Sequence, residues 1–188
     1  MTIFHSFVMP EVMQEELLAR FAEVSSGKVD CEKKMMRTRG AKWFNDAVRL
    51  SGSVDKDRLI YPWFSCVKGG RYHRSEDYVH IDLPKDKNIL KFVVALSIVP
   101  DAGTIFFPDV EVDSFQDDPP VKNTDLFHRT RKTRKLVVSN HGIAHFQEFQ
   151  QAGNGQLAEF HVGSDAHVAP PMPHLSERIL LTCLAHPQ

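Results

Sequence analysis

From about Leu59 onward the chain is a succession of short β-forming runs cut apart by turn residues. LIYPWFSCV, NILKFVVALSIV, GTIFF, QLAEFHV and RILLTCLA are rich in β-branched, aromatic and aliphatic side chains, and KLVVSNHG is a further candidate. Such side chains suit a pleated, half-buried surface. Gly, Pro, Asp and Asn collect between the runs. That texture predicts an antiparallel sandwich or barrel. A parallel sheet would need strands alternating with helices, and no such alternation is present.

Residues 1–52 read differently. Pro10 suits a first helical position, and Glu11, Glu15 and Glu16 follow it near the positive end of a helix dipole. Val12, Leu17, Phe21 and Val24 recur at roughly helical spacing up to Ser25-Ser26-Gly27. A second helix is expected to carry Trp43, Ala47 and Leu50 on one face, with Gly52 as its stop. The expected architecture is one domain over 1–188, mainly β with flanking helices: helical support over 1–52 and a β core over 59–188. Between Asp109 and Asn154, DVEVDSFQDDPPVKN reads as an acidic, proline-bearing loop. HRTRKTRK, from His128, reads as a solvated basic loop, with a rim that draws in an anionic substrate as the alternative.

Composition excludes some classes. The chain has 188 residues, enough for one proper core. A formal net charge of -1 gives no whole-surface attraction to nucleic acid or acidic lipid, so neither partner is expected. Cys31, Cys66 and Cys183 are scattered, odd in number and form no CxxC pair. They suit a reducing compartment, and a cytoplasmic location is expected. No run approaches the roughly 18 apolar residues of a membrane span.

The chemistry concentrates in YVHIDLPKDK. Residues i and i+2 of an extended segment point to one side. His80 and Asp82 can therefore aim an imidazole nitrogen and a carboxylate oxygen at one ion, as two members of a 2-His-1-carboxylate set. The alternative is a strand-end histidine beside a solvated aspartate. Two residues on one short stretch cannot complete a facial triad, so a third ligand must come from elsewhere. His167, read as lying in a loop between two late strands, is well placed. His141 and His145 also lie downstream. His161 falls within a β run, and His174 lies four residues before Arg178.

Two further features accompany the pair. Asp101-Ala102-Gly103 is a tight turn between NILKFVVALSIV and GTIFFP, which predicts a hairpin. Arg178 opens the terminal strand RILLTCLA, which otherwise has no need of a charge. A guanidinium fork binds a carboxylate bidentately and stays charged when partly buried. On alternation Arg178, Leu180 and Thr182 share a face, so Thr182 can assist. Trp43, Trp63 and Phe107 are candidates to line a pocket, although aromatics at these spacings are more often core.

His80-x-Asp82, then AGTIFFP, then His167 with VAPP, then Arg178 eleven positions on, resembles the Fe(II)/2-oxoglutarate-dependent oxygenases, and more narrowly their prolyl-hydroxylase-like branch. The resemblance covers about residues 60 to 186. It implies a double-stranded β-helix, a distorted jelly roll, with helices packed beside it. It implies that His80, Asp82 and His167 hold Fe(II), that Arg178 pairs with the distal carboxylate of 2-oxoglutarate, and that O2 is consumed with release of succinate and CO2. Hydroxylation of a small molecule, such as an amino acid or a derivative, is the expected outcome. A protein side chain is the alternative substrate. No tyrosine stands where that branch often contacts the cosubstrate. Lys68, Tyr72 and Tyr78 are only nearby. Two competing readings are a non-catalytic jelly-roll binding module with structural His80 and Asp82, and a nucleic-acid partner for HRTRKTRK. The second is disfavoured by the near-neutral charge and the lack of a recognition signature.

Overall fold

A computed structural model of the chain describes residues 1–25, 37–68, 79–82, 88–96, 99–108, 115–117, 133–136, 149–170 and 176–188. The described strands form two antiparallel sheets. Their elements are β1 (Ile3–Val8), β2 (Trp63–Lys68), β3 (His80–Asp82), β4 (Leu90–Ala95), β5 (Ile105–Phe106), β6 (Phe115–Asp117), β7 (Thr133–Leu136), β8 (Gln150–Gln151), β9 (Gln156–His161), β10 (His167–Val168) and β11 (Glu177–Ala185). The larger sheet runs β1-β9-β4-β11-β2, and the smaller runs β6-β7-β3-β10-β5-β8. Among the described residues two helices, α1 (Glu11–Ser25) and α2 (Arg39–Leu50), lie between β1 and β2.

The helices form where side chains and caps direct them. Pro10 stands just ahead of α1, and its carbonyl accepts from the Met13 N–H at 2.9 Å. Thr38 caps α2: its hydroxyl accepts from the Ala41 N–H at 3.1 Å, satisfying one of the donors that open every helix. Gly52, at φ 78°, takes the left-handed conformation that ends α2. Ala47 is buried as expected, but the packed face is set by Ala41, Phe44 and Val48, and Leu50 is 70% exposed.

Three other expectations are corrected. Residues 3–8 are not helical support but a strand that pairs with β9. In IFHSFV, Phe4 packs into the roll while Phe7 packs toward the helices. NILKFVVALSIV and GTIFFP do not make a hairpin. β4 lies in the larger sheet and β5 in the smaller one. The turn between them carries the chain across the roll, with Asp101 at φ 53° and Gly103 pressed against the backbone of Ala152. Two segments read as loops contain strand. DVEVDSFQDDPPVKN includes β6, and the basic run ends in β7, which adds a neighbour to the edge of β3. Residues 128–132 of that run lie outside the described residues.

Alternation sorts the larger sheet into two faces. Leu90, Phe92, Val94, Leu157, Ile179, Leu181 and Cys183 face the helices and meet Leu17, Phe44 and Val48. Full burial of one such Leu, Ile or Phe is worth about 1.5–3 kcal/mol, so this face docks the helices. The opposite face turns inward. Val93, Ala158 and Phe160 meet Phe106 of the smaller sheet there. Val79, Ile81, Ile105, Phe107, Ala166 and Val168 cover the other side of the smaller sheet. Phe107 is therefore core on the far side, Trp43 packs with the helices, and Trp63 is partly exposed. None of these three joins the residues gathered inside the roll.

Candidate metal and carboxylate site

β3 and β10 are neighbours in the smaller sheet, and His80 stands opposite His167 in their register. Period-two alternation then fixes the rest. With Ile81 turned to the outer cluster, His80 and Asp82 turn inward together. Candidate donor atoms of His80, Asp82 and His167 lie within 4.8 Å of one another. Asp82 Oδ1 is 4.0 Å from His80 Nε2, and its Oδ2 is 4.0 Å from His167 Nε2. The imidazole centroids are 4.4 Å apart. The strand ends are secured by backbone bonds from the Asp82 N–H to the Val162 carbonyl and from the Phe107 N–H to the Ala166 carbonyl, both 3.0 Å.

The tautomer of His167 follows from its partner. Its Nδ1 lies 2.9 Å from the Asp165 carbonyl oxygen. A carbonyl only accepts, so Nδ1 carries the hydrogen and Nε2 presents a lone pair toward Asp82. Burial pushes the imidazole down to about 3; His80 and Lys91 push the same way, and Asp82 opposes them. His167 is therefore a neutral ring at physiological pH. Phe160 closes over it, with centroids 4.8 Å apart. Two neutral-nitrogen donors and one carboxylate are the donor set of a facial triad that suits a first-row divalent ion. With bonds of about 2.1 Å such an ion would draw its donors closer than 4 Å.

Arg178 lies along the inner face of β11. It is 3% exposed, so it does not snorkel to solvent at a strand edge. Its Nε donates to the Ala102 carbonyl, and its terminal nitrogen donates to the Thr104 hydroxyl. Those acceptors sit on the crossing turn. Two residues along the same face, Thr182 is 1% exposed. Its hydroxyl has no hydrogen-bond partner among the described residues. An unpartnered buried hydroxyl costs about 1–3 kcal/mol, and Thr182 carries one on the same strand face as Arg178.

The topology can now be compared with known structures. Similar structures include the iron and alpha-ketoglutarate-dependent endoperoxidase NvfI, with TM-score 0.54 at 11% identity over 98% of this chain and 76% of that one. A Pseudomonas putida prolyl-4-hydroxylase gives TM-score 0.53 at 15% identity over 100% and 88%. HygX from Streptomyces hygroscopicus, in its apo form, gives 0.50 at 12% identity over 100% and 82%. The chain has the fold of the iron- and 2-oxoglutarate-dependent oxygenases. No family model and no curated protein sequence matches it.

Within this oxygenase fold the expected jelly roll is borne out. Of the rival histidines, His161 ends β9 next to the inward Phe160 and so faces the other way; His141, His145 and His174 lie outside the described residues, as do Tyr72 and Tyr78. Among the described residues no helix is long and apolar enough to cross a membrane. Two contributors escaped the sequence. Thr104, inside AGTIFFP, accepts from Arg178. Lys91 enters the site from β4, with Nζ 3.6 Å from Asp82 Oδ2. Its signal was available: a lone charge in LKFVVA, as unneeded by an apolar strand as Arg178 is in its own. Cys183 offers no nucleophile, because burial pushes its thiol up to about 12.

Proposed function

We propose that the protein is an Fe(II)- and 2-oxoglutarate-dependent dioxygenase, with His80, Asp82 and His167 as the ligands of the metal. Arg178 and Thr182 bind the distal carboxylate of 2-oxoglutarate. The observation that carries the reading is the pairing of a His-Asp-His cluster with a buried arginine and a hydroxyl that has no partner among the described residues, inside one oxygenase roll. When bound, the metal supplies open positions at which 2-oxoglutarate and O2 react. The balance is one O2 and one 2-oxoglutarate consumed per substrate C–H, giving a hydroxyl group, succinate and CO2.

The chain's own residues have distinct parts in this. The Asp165 carbonyl holds His167 in the tautomer that leaves Nε2 free of hydrogen. Thr104 and the Ala102 carbonyl fix the guanidinium of Arg178 before any ligand arrives, which lowers the ordering cost of binding. Phe160 and Phe106 exclude water from one side of the His167 imidazole.

The proposed substrate is a small molecule, an amino acid or a derivative, hydroxylated at an unactivated C–H. The mostly enclosed triad, with side chains 7–17% exposed, suits a slim reactant. Anaerobic addition of Fe(II) and then 2-oxoglutarate is expected to give a weak visible charge-transfer band that His80→Ala abolishes. A band that survives His80→Ala overturns the ligand assignment. Binding of neither iron nor 2-oxoglutarate favours a non-catalytic binding module. A succinate-release screen over amino acids, metabolites and peptides separates small-molecule from protein substrates.

A further inference from the structure

β4 turns Lys91, Val93 and Ala95 into the roll and the residues between them toward the helices. Two of these three inward positions are apolar, as an enclosed face requires. Lys91 breaks the pattern. Its side chain is 14% exposed, its ammonium is 3.6 Å from Asp82 Oδ2, and it lies 5.7 Å from the centroid of the Phe160 ring. Phe160 stands across from it on β9 and Leu184 on β11, neither of which carries a charge. An enclosed ammonium loses hydration and needs an opposite charge to offset that loss. An opposite charge beside it is the carboxylate of Asp82, in the metal-ligand cluster.

A fixed cation beside the donor set acts on whatever the set binds. It repels a divalent ion and attracts an anion, and the sign of both effects is independent of the local dielectric. We propose that Lys91 sets the charge of the Asp82 site, offsetting the carboxylate so that affinity for the metal ion is reduced and affinity for the carboxylate ligands that join it is raised. This rests on the metal and 2-oxoglutarate reading above. In the empty protein the same ammonium holds Asp82 Oδ2, which makes Lys91 a positioning residue as well.

The test uses Co(II), which is stable in air, and measures binding rather than turnover. Calorimetry gives the Co(II) affinity of the wild type, K91M and K91R, and then the 2-oxoglutarate affinity of each Co(II)-loaded protein. K91M is expected to bind Co(II) about tenfold more tightly and 2-oxoglutarate about tenfold more weakly. K91R, which keeps the charge, is expected to stay near the wild type on both. Opposite shifts cannot come from damaged packing, which weakens both ligands together. Parallel shifts, no shift, or a shift in one ligand alone overturn the role of Lys91 while leaving the metal reading intact. Wild-type protein that takes up no Co(II) overturns the metal reading and this inference with it. K91Q repeats the comparison should K91M not fold.

Discussion

His167 stands directly across the β3–β10 pair from His80, with ring centroids 4.4 Å apart. Eighty-odd residues separate them in the chain, and one antiparallel register brings them together. Each lies at a strand position whose inward direction is fixed by buried neighbours on the other face, Ile81 beside His80 and Val168 beside His167. If they act as one metal site, His167→Ala and His80→Ala each lower Co(II) affinity by about a hundredfold or more. Calorimetry measures the loss, and circular dichroism checks that the fold survives.

Arg178 gives a graded prediction. Arg178→Lys keeps a charge but loses the fork that reaches Ala102 and Thr104 at once. Affinity for 2-oxoglutarate is expected to fall about tenfold with the melting temperature little changed. Arg178→Ala removes the charge and leaves a hole, so both affinity and stability fall, the latter by about 2–4 kcal/mol. Equal 2-oxoglutarate binding by all three proteins would sink the assignment.

Thr182→Val separates stability from binding. The hydroxyl it removes has no partner among the described residues, so the ligand-free protein loses nothing and gains up to about 1 kcal/mol. Binding of 2-oxoglutarate is expected to weaken several-fold. Urea unfolding without ligand and calorimetry with it read the two effects separately.

Acid destabilises the protein through His167. Its folded-state value, about 3, lies below its unfolded value of 6.5. Above pH 6.5 neither state takes the proton and the group contributes nothing. Between pH 6.5 and about 3 the unfolded chain binds a proton that the folded protein refuses, so stability falls with falling pH. The loss is on the order of 1 kcal/mol per pH unit. His167→Gln keeps a polar side chain without the titration. Urea unfolding at pH 7.5, 6.0 and 5.0 should show a slope about one proton shallower for the variant.

Gly103 tests the crossing turn. A methyl group there would run into the backbone of Ala152, which cannot give way as a flexible side chain could. Gly103→Ala is expected to cost more than about 2 kcal/mol and to weaken 2-oxoglutarate binding by moving Ala102 and Thr104 away from Arg178. Thermal melts with and without the ligand measure both.

Most of the strands were legible because each carries its own pattern. QLAEFH and RILLTCLA are β9 and β11 almost to the residue, and Pro10 and Gly52 mark the start of one helix and the end of the other. The strand at Ile3–Val8 was missed because it is stabilised by β9, about 150 residues away, and only pairing distinguishes such a short run from the start of a helix. The β4–β5 hairpin was expected because a tight turn joins two β runs. The turn is real, but it crosses between sheets, and local chemistry does not say which sheet a strand joins. Lys91 was overlooked because one charge in a strand has no partner in sequence.

What the sequence determined by itself is whatever obeys the period-two rule over a few residues. It put His80 and Asp82 on one side of a strand, and Arg178 and Thr182 on one side of another. Only the tertiary structure decided that these two faces look into the same roll, that His167 lies beside the first pair, and that Lys91 neighbours Asp82. The reason is range. Side-chain direction is set by the residue's own backbone, whereas proximity between strands depends on register and sheet order, which the packing of the whole chain selects.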